Sequence, residues 1–439
     1  MSPEVMALIA MILVICLVLA GVRLAFAFMF LAVLFGYLYR GPTILDLFIQ
    51  KTYEVMQNEV LIAVPLFVFM GLILERSEAA ERLFSTMFQL FGPIRGGLAI
   101  TTIIISTLFA ACTGIIAASV TMMALIAFPA MLKRKYDKGL ASGVVCAGGT
   151  LGILIPPSVM LVMMGPMCNL SVAKLFAGAM FPGLLLSALY IAYILLVSWL
   201  KPEVAPAVSV AERTAEKKTL IIQTLIYMIP VFGLLVGVLG SILLGMATPT
   251  EASAVGALGA IIIALVYRRL TLETLKLAVY ETLKITSMVF FVIVGAGMFT
   301  SVFLFMRGGA MVEALLMATG FGKWGILALM MFVVFILGMF IDWIGILYIV
   351  LPVFLPVAVN LGFDPLYFVE LIAINLQMSF LTPPFAYAIF FLKGVAPPEV
   401  KTTDIYRGVV PFVALQAVGL ALCIAFPEII MWLPTVTLK

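Results

Sequence analysis

Two adjacent prolines inside an apolar run, "SFLTPPFAYAI" at 379–389, constrain this chain more than any other feature. Pro383 and Pro384 must end a helix, because proline lacks the amide donor and clashes with the carbonyl four residues back. The flanking residues are apolar enough for lipid, where exposed broken backbone is not tolerated. Such a break must be enclosed by protein or line a cavity. The stretch "GILIPPSVML" at 152–161 repeats the arrangement with Pro156 and Pro157.

The setting is a membrane. Of 439 residues, 65% are hydrophobic and 10% are charged, with a mean hydropathy of +1.27; a soluble domain carries about 25% charged residues. Histidine is absent, which removes the commonest general base and metal ligand. No glycine-rich nucleotide loop, HExxH or paired-carboxylate motif is present, so an embedded enzyme is disfavoured. The net charge of +4 sits at segment ends and does not point to nucleic acid. Cys16, Cys112, Cys146, Cys168 and Cys423 lack metal-ligand spacing and read as small buried hydrophobes. Residues 4–22 have no charged leader or cleavage site and read as a retained helix.

A crossing helix needs about 20 apolar residues. Ten crossings are expected, near 4–22, 24–40, 60–75, 140–167, 172–200, 220–240, 250–267, 285–305, 366–391 and 408–432. Two further blocks, 97–132 and 323–359, read as re-entrant hairpins with tips at "AACTG" (110–114) and "IDWIG" (341–345). Placing Arg23, 76–95, 133–138, 201–218, 268–284 and 393–407 in the cytoplasm puts 19 of the 25 basic residues there, as the positive-inside rule requires. Both termini then lie outside, the first hairpin opens to the cytoplasm, and the second opens to the opposite side. Residues 77–93, 268–284 and 306–320 fit helices lying in the interface. The charged, Ala- and Pro-rich stretch 201–219 divides the chain into halves, 1–200 and 220–439.

The halves repeat. At an offset of 227, Pro129 meets Pro356, Tyr136 meets Phe363, Asp137 meets Asp364, and Pro156-Pro157 meets Pro383-Pro384. The hairpin tips match at 231, a slip of four. Five crossings per half is an odd number, so the second half enters the membrane upside down. The fold class expected is therefore an all-α polytopic membrane protein built as an inverted-topology repeat, as in many secondary transporters.

The breaks then acquire a use. Carbonyls freed near Gly149, Thr150 and Ile155, and near Gln377, Met378 and Thr382, suit a hard cation such as Na⁺. The second half-helices begin near Ser158 and Phe385, and their free N–H groups suit an anion. Pro156, Pro157, Pro383 and Pro384 would border that substrate. The hairpin tips add Ala111, Thr113, Gly114, Asp342 and Ile344 to the cation candidates. Asp342 either completes a cation site, bonds the tip backbone or is a solvated loop end. Asn375 and Gln377 either face the substrate or hold helix to helix. Glu251 reads as a helix cap, and Glu370 is assigned no role.

Several long motifs resemble the large membrane subunit of the tripartite ATP-independent periplasmic (TRAP) transporters. They are "FPAMLKRKYDKGLASGVVCAGGTLGILIPPS" (128–158), "ATPTEASAVGALGA" (247–260), "FIDWIGILYIVLPVFLPV" (340–357) and "NLQMSFLTPPFAYAIFFLKGVAP" (375–397). The resemblance implies import of a small organic anion driven by a Na⁺ gradient, with no other cofactor. It implies a periplasmic substrate-binding protein and a small four-helix membrane subunit as partners. It also implies the bacterial inner membrane, periplasmic termini and an elevator in which hairpins and broken helices move against a scaffold. A stand-alone Na⁺-coupled divalent-anion carrier is the alternative. One departure stands out: where the family's first hairpin tip usually reads Ser-Gly-Ser-Ser, this chain has Thr113, Gly114, Ile115 and Ile116. Backbone carbonyls are expected to take the place of the lost hydroxyls, with a less polar substrate pocket as the consequence.

Overall fold

The computed structural model describes residues 2–114, 116–207, 217–384 and 386–438. The first half contains α1 (Pro3–Leu19), α2 (Leu24–Arg40), α3 (Ile44–Met56), α4 (Ala63–Arg76), α5 (Ala79–Phe91), α6 (Gly97–Thr113), α7 (Ile116–Lys133), α8 (Lys138–Thr150), α9 (Val159–Cys168) and α10 (Val172–Leu200). The second contains α11 (Lys217–Leu243), α12 (Pro249–Val266), α13 (Leu272–Phe305), α14 (Gly308–Ala318), α15 (Lys323–Gly338), α16 (Trp343–Asn360), α17 (Pro365–Ser379), α18 (Tyr387–Val395), α19 (Thr402–Ala425) and α20 (Glu428–Thr437). Among the described residues, eight helices are long and apolar enough to cross a membrane, or nine if the bent pair α4–α5 counts as one. Two of the eight, α7 and α16, are hairpin arms. The two Pro-Pro helices fall short of the length test because they are broken.

The repeat is explicit at an offset of 227. α7 and α16 begin and end at equivalent positions, as do the starts of α8 and α17. Asp137 caps α8 by accepting from Leu140 N–H at 2.9 Å, and its equivalent Asp364 caps α17 by accepting from Tyr367 N–H at 3.1 Å. The contacts are exchanged as an inverted repeat demands. α4 packs on α12 while α13 packs on α2. α9 packs on α16 and α17, and its counterpart α18 packs on α7 and α8. Each second half-helix is thus covered by the hairpin and broken helix of the other repeat.

Four expectations are corrected. The four-residue slip between the hairpins does not exist, because the matching of "FAACTG" to "FIDWIG" equates a tip with a helix: Gly114 precedes α7, whereas Gly345 lies inside α16. The second tip is therefore Met339–Asp342. The expected interfacial helix 268–284 does not exist as a separate element: from Leu272 on it is the first part of the 34-residue α13. No glycine or proline interrupts residues 272–294 to stop it. In the first repeat the same region is split into α3 and α4 around Asn58, which caps the intervening turn by accepting from Val60 N–H at 3.1 Å; α3 was not foreseen. Finally, the last expected crossing stops at Ala425, before Pro427, and α20 folds back onto α10.

Close backbone approach fixes how α8 and α19 pack. α8 and α19 touch through glycines: a Cβ on Gly143 would collide with the Gly408 carbonyl, and one on Gly408 with the Gly139 carbonyl. The start of the linker is pinned, since Gly96 N–H donates to Ala205 O at 3.0 Å and Asp137 N–H to Val204 O at 2.9 Å. Positions 208–216 of the expected linker lie outside the described residues. Tyr136, in the loop after the first hairpin, accepts from Leu98 N–H at 3.4 Å, and burial pushes its phenol up to about 12. Glu251 forms a capping box with Thr248, its carboxylate accepting from Thr248 N–H at 2.8 Å.

Candidate functional site

The two breaks are built alike. α8 tightens into a 3₁₀ turn at Leu151–Ile153 and then runs through the Pro pair to the N-cap of α9, Ser158. α17 ends at Ser379 and runs through its Pro pair to α18. Both Pro-Pro bonds are cis. The carbonyls of Ile155 and Thr382, equivalent residues that each precede a Pro pair, accept from no described residue. Other candidate carbonyls are engaged. Gly149 O receives Leu151 N–H, and Met378 O receives both Leu381 N–H at 3.1 Å and the Thr382 hydroxyl at 2.6 Å. The Thr150 hydroxyl donates to Ala147 O at 2.9 Å. Gly149 serves packing instead: a Cβ there would lie 3.0 Å from Val120 N of α7.

The hairpin ends sit on these breaks. Gly114, at φ +59, lies where a Cβ would be 3.3 Å from Val159 N and 3.6 Å from Pro157 O. The first tip therefore covers the first Pro pair. A substituent on Gly338, the last residue of α15, would overlap the Ser379 hydroxyl at the end of α17. Cys146 Sγ of α8 lies 3.6 Å from Ala388 O of α18, so the half-helix after the second break packs on the half-helix before the first.

Ala111 stands in the last turn of α6, where helical carbonyls lack their partners; Thr113 ends that helix, and nothing of its side chain is described. Ile344 lies in the first turn of α16, where the N–H points toward the Asp342 carboxyl and the carbonyl is directed into the helix. It therefore does not offer the oxygen expected of it. Asp342 is the half-buried N-cap of α16, its carboxyl beside the N–H groups of Trp343 and Ile344 without closing a capping bond. Phe385 lies outside the described residues.

Ser158 is committed to local structure. Its hydroxyl donates to Ile153 O and accepts from Leu161 N–H at 3.5 Å. Asn375 holds helix to helix, since Nδ2 donates to Met331 O of α15 at 2.6 Å, and its Oδ1 has no partner. Gln377 is fully buried, and neither of its amide atoms finds a partner. Buried polar atoms in proteins are paired in the great majority, so such orphans mark where a water, ion or ligand belongs. The Ser379 hydroxyl is a third orphan, 1% exposed. The sequence signal for it was available: a hydroxyl one turn before a Pro pair in an otherwise apolar run.

An open groove of about 520 Å³ reaches the second break between α15, α17 and α19, bordered by Asn375, Met378, Thr382 and Pro383. Neither break has a basic side chain within reach along the chain: 147–159 and 377–388 contain no Lys or Arg. The donor set is neutral hydroxyl, amide and carbonyl oxygen with one carboxyl, which fits a hard monovalent cation.

The comparisons agree with this architecture. The model of the DctM component of the tripartite ATP-independent periplasmic transporters matches residues 5–429. The C4-dicarboxylate TRAP transporter large permease protein DctM of Pseudomonas aeruginosa is 32% identical over 386 residues, covering 88% of each chain. The ectoine/5-hydroxyectoine TRAP transporter large permease protein UehC of Ruegeria pomeroyi is 32% identical over 418 residues, covering 93% of each. The isethionate TRAP transporter permease protein DctMQ of Oleidesulfovibrio alaskensis is 28% identical over 395 residues, but this chain spans only 61% of it. The crystal structure of the Alcanivorax borkumensis YdaH transporter superposes with a TM-score of 0.63 over 89% of this chain and 90% of its own, at 14% identity, and so shares the fold. A family model matching residues 5–429, with relatives 32% identical over 88–93% of the chain, assigns the chain to the TRAP transporters as a DctM component, the large permease subunit.

Proposed function

We propose that this chain forms the membrane pathway of a Na⁺-driven importer for a small organic anion in the bacterial inner membrane, with both termini in the periplasm. A periplasmic binding protein delivers the solute, and a small four-helix membrane subunit completes the complex. Hairpins α6–α7 and α15–α16 with α8–α10 and α17–α19 move as a unit against α1–α5 and α11–α14, carrying the site across. The relatives' names mention C4-dicarboxylate, ectoine, sialic acid and isethionate, and the class proposed here is a carboxylate or sulfonate.

One observation carries this reading. Two breaks present free main-chain dipoles and orphan oxygens, yet neither stretch, 147–159 or 377–388, contains a Lys or Arg. An anion there needs half-helix N–H groups and a co-bound cation to balance its charge. Transport then depends on the cation by construction, and Ile155 O, Thr382 O, Gln377 and Ser379 are the groups best placed to hold it.

The test is uptake in liposomes containing this chain and its small partner, with and without the periplasmic protein and a Na⁺ gradient. Uptake should require all three. Uptake by this chain alone would reject the tripartite reading. Thr382→Val, which removes the hydroxyl clamp on Met378 O, and Asp342→Ala should each raise the Na⁺ concentration for half-activation by roughly 5- to 30-fold, the equivalent of about 1–2 kcal/mol of lost hydrogen bonding. Unchanged Na⁺ activation in both variants, at normal expression, removes both residues from the site.

A further inference from the structure

Outside the two breaks, the interior of the bundle holds a second set of unsatisfied polar groups. Glu370 of α17 is 0% exposed, and both its carboxyl oxygens lack a partner. It faces Gly178 of α10, where an added Cβ would meet its Oε1 at 3.2 Å, and it lies beside Cys423 of α19. α17 and α19 run antiparallel, since the Tyr367 hydroxyl at the start of α17 donates to Cys423 O and Ile424 O, each at 3.3 Å, at the end of α19.

Seven residues on from Glu370, two turns along the same face, stands Gln377; seven residues back from Cys423 stands Gln416. Both are fully buried, and all four of their amide atoms lack partners. The buried hydroxyl of Tyr190 of α10 lies beside the Gln416 amide without closing a hydrogen bond to it. Four long polar side chains thus form one column between α10, α17 and α19. They run from Glu370, along α17 toward the second break, to Tyr190.

The titratable groups on the elements packed round Glu370 do not neutralise it. α10 brings Gly178 to it, and Lys174 one turn away is exposed. α19 brings Cys423, and α9 carries Cys168. Lys323 of α15 and Glu428 of α20 are exposed at helix starts, and Asp342 heads α16 at the hairpin tip. A carboxylate without a cation or hydrogen bonds in such a place costs far more than a carboxylic acid.

We propose that this column is a proton site: Glu370 binds and releases one proton during the transport cycle, and Gln377, Gln416 and Tyr190 line the hydrated path that serves it. The orphan amides supply donors and acceptors for a short chain of waters, and the path ends beside the break that holds the cation. The solute cycle then carries a proton requirement in addition to its Na⁺ requirement.

The experiment compares wild type with Glu370→Gln, which keeps shape and neutrality but cannot ionise, in the complete reconstituted complex. Wild-type uptake at saturating Na⁺ should fall as pH rises, approaching tenfold per pH unit beyond the titration of a single group. The Gln variant should be flat across the same range while keeping its Na⁺ activation. Infrared difference spectra of the wild type, taken between Na⁺-free and Na⁺-plus-solute conditions, should contain a protonated-carboxyl C=O band that the variant lacks. A wild-type pH profile in Glu370→Gln overturns the proposal. So does a wild-type spectrum with no carboxylic-acid band responding to solute, a result that needs no variant to fold. Na⁺-dependent uptake that survives either outcome leaves the anion-importer reading standing by itself.

Discussion

Gly408→Val should leave little folded protein to extract from the membrane. In lipid, helices associate through close packing of small residues rather than through hydrophobic exclusion. α8 and α19 take this to its limit, because Gly143 and Gly408 lie against the backbone of the facing helix with no room for a Cβ on either. Valine can be admitted only if the helices separate, and α8 carries the first break. Overpacking typically costs about 1–3 kcal/mol, and here the obstacle is main chain, which cannot rotate away. Gly237→Val is the matched control: it lies in α11, and nothing stands within 4 Å of its added Cβ. Fluorescence-detected size-exclusion of the two variants should give a collapsed monodisperse peak for Gly408→Val and a wild-type peak for Gly237→Val. Equal peaks would mean that this glycine contact does not hold the bundle together.

Tying the second hairpin to α2 should stop turnover completely. Gly345, in the first turn of α16, lies against Leu24 at the start of α2, where an added Cβ would be 2.6 Å from Leu24 Cδ2. Above this contact the Thr300 hydroxyl of α13 donates to Tyr348 O of α16 at 2.7 Å. These are the points where a moving unit must slide on the scaffold if the site is carried across. In a background with the exposed Cys16 replaced, the pair Leu24→Cys/Gly345→Cys should bridge with a short bifunctional reagent. Uptake should vanish on bridging and return when a cleavable bridge is reduced, while Na⁺-dependent solute binding persists. Full uptake by a sample shown to be bridged would contradict sliding at this contact.

Much of this architecture was legible because proline and aspartate act locally. Asp137 and Asp364 cap helices through their own side chains, and the Pro pairs break helices wherever they stand, so the 227-residue offset could be read before any packing was known. The hairpin tips were misaligned because their similarity lay in residue type. A tip is defined by where the helix restarts, and α16 restarts at Trp343, inside the matched "FIDWIG" string. The long α13 was cut in two by its charges, Lys276, Glu281 and Lys284. Arg76 reaches across to Glu281 at 2.8 Å, so that segment is tied to α4 rather than lying alone in the interface.

For the site, residue identity predicted which groups would gather but not which atoms would remain free. Ser158 was a sound choice by chemistry, yet its hydroxyl is spent on Ile153 and Leu161. Met378 likewise has its carbonyl filled by Leu381 and Thr382. Occupancy of a lone pair depends on turn geometry a few residues away, which no spacing rule records. Ser379 and Glu370 were passed over for the converse reason. A buried polar side chain draws notice only when its neighbours are known to leave it unpaired.

The exchange of half-helices between the repeats also dictates an order of assembly. α9 leaves the ribosome long before α16 and α17, the surfaces on which it finally rests. A polypeptide interrupted after the first ten helices would leave the Pro156-Pro157 opening sheltered on the side of the first hairpin tip alone, with its other side open to acyl chains. The insertion machinery must therefore shield that opening until residues beyond 379 have been synthesised, and neither half is expected to persist as an autonomous folding unit.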